Sequence, residues 1–146
     1  IVDTPPITAH LRFGTTYRTP EPATWFDFGA DGGLGRAVEN CSGVGLCRKT
    51  REGTMCPSYM ATRDETDTTR GRANVLRLAM SGQLGPEGLD APGVHEALDL
   101  CLECRACKSE CPTSVDMARI KSEVLAARWE AHGAPLGVRA FGNVRS

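Results

Sequence analysis

Apolar positions along this chain recur at helical spacing, with little of the strict alternation that marks strands. Ala73, Leu76 and Met80 share one face of a segment from Thr68 to Met80, and Gly82 is a good stop. Val94, Ala97, Leu98 and Cys101 follow i, i+3, i+4, i+7, so a short helix is expected to carry Cys101 to the interior. A longer helix is expected to start at a cap on Ser114 or Asp116 and run through Ala131. Its stripe is Met117, Ile120, Val124 and Ala127, and Gly133-Ala134-Pro135 ends it. LGRAVEN, following Asp31, reads as a short helix that stops at Cys41, and residues 82–93 read as a loop. The expected fold class is all-α, with helices and loops wrapped around metal.

The first 30 residues break this pattern. They are rich in proline, glycine and threonine, and read as an extended arm that must lie on something, because alone they bury little. The expected organisation is an arm or linker over 1–30, a helical domain over 31–133 and a linker over 134–146. The chain starts at Ile1 and stops at FGNVRS, which reads as a piece of something longer.

Composition mostly narrows the field. With 17 basic and 18 acidic residues the net charge is −1, which gives no general attraction to nucleic acid. Aromatic residues are only 5%, so stacking platforms are scarce. No apolar run approaches the length of a membrane span, so the chain is not expected to be membrane-spanning. A signal-peptide pattern is missing from the start, and a cytoplasmic location, peripheral to the inner membrane face at most, is the expectation.

Seven cysteines change the picture: Cys41, Cys47, Cys56, Cys101, Cys104, Cys107 and Cys111. An odd number leaves one over in any closed disulfide set, and clustered thiols in a reducing compartment more often bind metal. Cys101-x2-Cys104-x2-Cys107-x3-Cys111-Pro112 matches the ferredoxin run for a cubane iron–sulfur cluster. Three thiolates three residues apart on a curled loop can cap three corners of one small cube. The fourth, turned away by its proline, ligates the other cluster in two-cluster proteins. Structural zinc favours two separated ligand pairs instead.

The crossed arrangement needs a second motif, and NCSGVGLCRKTREGTMCPSYM supplies it: Cys41, then Val44 at the middle position, Cys47, and Cys56-Pro57 after a longer gap. Crossing the runs gives one site of Cys101, Cys104, Cys107 and Cys56, enough thiolates for a complete [4Fe–4S] cluster. The other has Cys41, Cys47 and Cys111, with Val44 where a ligand would stand. A valine cannot hold iron, so that site is expected to carry [3Fe–4S], or [4Fe–4S] with one non-cysteine-ligated iron. The plainer alternative has each run serve itself, with Cys101 to Cys111 holding one cube and the upstream thiols unused. The repeated Cys-Pro ending favours the crossed version.

With these residues in hand a resemblance can be stated. The two-run layout is similar to the α-helical ferredoxin domain of succinate dehydrogenase and fumarate reductase iron–sulfur subunits. There an apolar residue at the second cysteine position accompanies a three-iron cluster. TPEPATWFDFGADGG, CSGVGLCRKT, GTMCPSYMATRDE, TTRGRANVLRLAMSG and LDLCLECRACKSECPTSVDMARIKSE resemble the iron–sulfur segment of bacterial FAD-linked oxidases of the glycolate oxidase, D-lactate dehydrogenase and D-2-hydroxyglutarate dehydrogenase type. The resemblance implies an electron-transfer module inside a 2-hydroxy-acid oxidoreductase. Its partners would be a flavin domain, whose FAD lies outside this segment, and an acceptor such as a quinone or electron-transfer protein. No substrate site or catalytic residue is expected here. The competing classes are a zinc-stabilised interaction module and a single-cluster redox-sensing segment.

Other features carry less. Arg63, Arg70 and Arg72, interleaved with Asp64, Glu65 and Asp67, suit either a docking surface with cluster tuning or a capped, solvated helix start. Gly71 between two arginines suggests close packing. His10, His95 and His132 read as ordinary histidines, with His95 the best placed of them for an extra ligand. The GGLG and SGVG glycines lack the Lys-Ser/Thr ending of a phosphate loop, so nucleotide binding is not expected. In SGVG they suit a close approach of backbone amides to cluster sulfurs.

Overall fold

The computed structural model describes residues 3–9, 11 and 13–142, so His10 lies outside the described residues. Among these there is no strand, and the chain is all-α. The helices are α1 (Leu34–Glu39), α2 (Pro57–Thr62), α3 (Thr69–Met80), α4 (Pro92–Asp99), α5 (Ala106–Glu110), α6 (Met117–His132) and α7 (Leu136–Gly142).

α3 lies at the centre, packed by α1 and α4. It starts where the Thr68 hydroxyl accepts the Gly71 N–H at 2.8 Å, and its buried face carries Ala73, Leu76 and Ala79. Gly71 leaves no room for a side chain, because a Cβ there would overlap the Glu65 carbonyl oxygen. α6 is capped by Asp116, whose carboxylate accepts the Arg119 N–H at 3.2 Å, and Gly133 ends it. Met117, Ile120 and Val124 enter the common core with Val38, Val94 and Met55.

Three expectations are corrected. Cys101 is not carried on α4: that helix ends at Asp99, and Cys101 follows its cap at Leu100. Ala127 is exposed, because the buried face of α6 ends at Val124, with Glu123 beside it. The segment 82–93 is not wholly a loop, since it contains a 3-10 turn, Gly88–Asp90, and the first turn of α4 at Pro92.

The N-terminal residues lie against α1 and α6. The buried Glu123 carboxylate accepts the backbone N–H groups of Trp25 and Phe26, and Phe28 is buried beneath Arg119. The Arg119 guanidinium in turn donates to the Asp27 carbonyl. On α1, Glu39 accepts from the Tyr17 hydroxyl at 2.7 Å and the Thr19 hydroxyl at 3.0 Å. No helix among the described residues is long and apolar enough to cross a membrane.

Candidate iron–sulfur site

The loops between helices gather the seven cysteines into two recesses. One is lined by Cys56, Cys101, Cys104 and Cys107, with Thr69, Arg72 and Met117 among the other walls. The second is lined by Cys41, Cys47 and Cys111, with Val44, Met55, Thr69 and Arg70. None of the cysteines forms a disulfide. Cys56 therefore stands with the first three thiols of the downstream run, and Cys111 with the two upstream ones.

The two loops have the same backbone plan. Gly43 and Gly45, two and four residues after Cys41, have φ of 79° and 78°. Glu103 and Arg105, at the same offsets from Cys101, have φ of 52° and 60°. Left-handed residues alternating with ordinary ones turn successive N–H groups toward one concave side, which makes an anion-binding nest. Glycine adopts this φ freely, whereas Glu103 and Arg105 do so at some cost. At the matching middle position of the two loops stand Val44 and Cys104, both exposed.

Several donors face the sulfurs. The Thr69 N–H donates to Cys56 Sγ at 3.1 Å, and the Thr69 hydroxyl lies at the same distance. The Met117 N–H reaches Cys107 Sγ at 3.4 Å. Burial pushes the Cys56 and Cys107 thiols up, against these same hydrogen bonds. At Cys111 burial also acts upward, but hydrogen bonds from Thr113, Val115 and Ser114 together outweigh it and the thiol sits lower. Thr69, at the first position of α3, borders both recesses, so the positive end of that helix lies between them.

Positive charge reinforces this. Arg72, 2% exposed, lines the four-thiol recess and bonds Asp67, Ser58 and the Ala97 carbonyl. Arg70 lines the three-thiol recess, bonds Glu65 at 2.6 Å and reaches the Gly43 carbonyl. Thiols, N–H nests, a helix N-terminus and arginines fit a pair of anionic thiolate-bound clusters. Among the described residues no three His, Cys, Asp or Glu side chains converge closely enough to hold a single metal ion. His95 and His132 both turn to Asp90 and line neither recess.

Two contributors were not legible beforehand. Thr69 sits unremarked in a run of threonines, and Glu110 is one acidic residue among many. The Glu110 carboxylate takes Lys49 Nζ and the Thr54 N–H, each at 2.7 Å. It thereby ties the long Cys47–Cys56 connection to α5, one residue before Cys111.

Such a site defines an iron–sulfur protein of the ferredoxin kind. Residues 37–115 match the family described as "4Fe-4S dicluster domain", and the chain belongs to that family. Among curated proteins it is similar to a probable glycolate oxidase iron-sulfur subunit of Bacillus subtilis, 32% identical over 58% of this chain. It is 33% identical to the glycolate oxidase iron-sulfur subunit of Escherichia coli over 51% of this chain. A D-2-hydroxyglutarate dehydrogenase of Pseudomonas putida is 25% identical over 77% of it. The chain spans 17%, 16% and 14% of these three relatives respectively. No solved structure matches it.

Proposed function

We propose that this chain is the electron-transfer segment of a flavin-linked 2-hydroxy-acid oxidoreductase and carries two clusters. Cys56, Cys101, Cys104 and Cys107 would hold a [4Fe–4S] cluster. Cys41, Cys47 and Cys111 would hold a [3Fe–4S] cluster, or a [4Fe–4S] cluster with one non-cysteine-ligated iron beside Val44. The observation that carries this is the four-and-three division of the thiols between two recesses, with Val44 in one loop where Cys104 stands in the other. When bound, such clusters store and release electrons one at a time, which suits a chain leading from a two-electron flavin.

The chain's own residues bury the sulfurs, aim N–H donors at them and hold Arg70 and Arg72 nearby. These are the means by which a protein sets cluster potential. In the parent protein the flavin domain would deliver electrons, and a quinone or electron-transfer protein would receive them. The names of the relatives point to glycolate or D-2-hydroxyglutarate as the kind of substrate. Residues 1–30 would be the arm leading from the flavin domain, 31–133 the two-cluster domain and 134–146 a connection onward, on the cytoplasmic side.

A zinc-stabilised interaction module would need ligands converging about 2.3 Å from one ion, and the arrangement does not favour it. The test is metal analysis of the full-length protein purified anaerobically. About seven irons per chain (eight with a non-cysteine-ligated fourth iron in the second cluster), no zinc, and a brown colour bleached by dithionite are expected. Cys41 and Cys47 should resist alkylation in the native protein. A colourless zinc protein after anaerobic reconstitution would overturn the proposal. Labelled Cys41 and Cys47 with four irons would leave a single-cluster segment.

A further inference from the structure

The two cysteine loops share a backbone but not a charge environment. On the downstream loop each charge has its own partner: Glu103 pairs with Lys121 at 3.5 Å, and Arg105 with Asp116 at 3.0 Å. Around the upstream loop, Arg48 and Arg70 share a single carboxylate, Glu65, at 3.1 Å and 2.6 Å. Both guanidinium side chains flank Gly45. A Cβ there would meet Arg70 Nη1 at 2.8 Å and Arg48 Cδ at 3.9 Å.

A third cation stands close by. Arg77 lies two turns along α3 from Arg70 and lines an adjoining open recess with Ser42, Gly43, Glu65 and Arg70. It pairs with no carboxylate among the described residues, and its buried Nε lacks a hydrogen-bond partner. Its charge rests against the Phe13 ring, 5.2 Å away. The nearest carboxylate on α1, Glu39, is already taken by Arg36, Tyr17 and Thr19. On the same loop two apolar side chains are exposed, Val44 at 68% and Leu46 at 44%. Both line the three-thiol recess, as does Arg70. In a chain of net charge −1, an apolar tip beside surplus positive charge is a local feature with a direction.

We infer that the Val44–Leu46 loop, flanked by Arg48 and Arg70 with the largely buried Arg77 on the adjoining recess, is the docking surface for an acidic one-electron carrier protein, which exchanges electrons with the site on Cys41, Cys47 and Cys111. This rests on the two-cluster reading. In each encounter the carrier gains one electron and the reduced site loses one; no covalent bond forms and no proton has to move. Arginines at such a rim act mainly on the rate of encounter, and salt screens them.

The test uses the full-length protein, anaerobically reduced and mixed in stopped flow with two high-potential carriers, an acidic blue-copper protein and a basic c-type cytochrome. At low salt the acidic carrier should be reduced the faster, with a rate that falls as salt rises. Arg48→Gln should slow it severalfold, and Arg48→Gln with Arg77→Gln about tenfold, with the difference vanishing at high salt. Arg139→Gln on exposed α7 makes the same charge change elsewhere and should leave the rate alone. Arg48 is half exposed, so its variant carries the test even where loss of Arg77 impairs folding.

Iron content and paramagnetic spectra of the same samples separate the two claims. Seven irons with a rate indifferent to salt and to Arg48→Gln would overturn the docking surface alone. So would faster reduction of the basic cytochrome at low salt. An Arg48→Gln effect confined to reduction of the clusters by the parent's flavin would do the same, because the patch would then face that domain. Four irons per chain would overturn both.

Discussion

Thr69 gives its backbone N–H to Cys56 Sγ at 3.1 Å and sets its hydroxyl at the same distance from that sulfur. One residue at the start of α3 thus fixes the thiol that the upstream motif contributes to the downstream recess. Hydrogen bonds to cluster sulfurs stabilise the more negative, reduced state. Thr69→Val keeps the shape and the N–H but loses the hydroxyl. It should lower the potential of the four-thiol cluster by on the order of tens of millivolts, about 1 kcal/mol or less of differential stabilisation. A potentiometric titration followed by paramagnetic resonance reads this directly, and an unchanged or raised potential would contradict it.

Gly71 offers a steric test of the same corner. Its hypothetical Cβ meets the carbonyl of Glu65, so Gly71→Ala must displace the turn that precedes α3. With that turn move the Glu65–Arg70 pair and the Thr68 cap. A loss of about 2–3 kcal/mol is expected, with faster cluster loss on thermal challenge. Gly93 in α4 has open space around it, and Gly93→Ala should be neutral or stabilising by up to about 1 kcal/mol. Equal behaviour of the two variants in a denaturant titration would be the wrong result for this account.

Where the sequence was legible, the physics was local. Asp116 as a cap, Gly133 as a stop and the Leu76 and Ile120 faces follow from local pattern alone. The repeated Cys-Pro ending is the sequence signal that groups Cys56 with the Cys101 run, and these four line one recess. What was missed depends on long-range packing. α2 begins at Pro57, a residue well suited to a first helical position, but its six residues are too few to show a period. α5 is a single turn inside the cysteine run, too short to show a period. Glu123 on the buried face of α6 breaks the apolar stripe because it holds the backbone of residues 25 and 26, 98 and 97 positions away in the chain.

The N-terminal arm should be sensitive to alkali. Burial and the neighbouring Glu39 carboxylate push the Tyr17 hydroxyl from 10.0 up to about 12. The folded state favours the neutral phenol, so its contribution is complete below pH 10 and is lost as the pH rises from 10 toward 12. Limited proteolysis of the arm should accelerate across that window. Tyr17→Phe should flatten the dependence while leaving α3 and α6 protected. A variant as pH-sensitive as the wild type would place the effect elsewhere.

Val44 is the residue on which the account turns, and the decisive measurement is paramagnetic resonance of the full-length protein as isolated without oxygen. The wild type should show the signal of an oxidised three-iron cluster with about seven irons per chain. Val44→Cys should abolish that signal and raise the iron to about eight, by supplying the thiolate that Cys104 supplies in the other loop. A wild type showing only two diamagnetic four-iron clusters would contradict the three-iron assignment. Unchanged spectra in Val44→Cys would contradict the placement of Val44 at the missing ligand position.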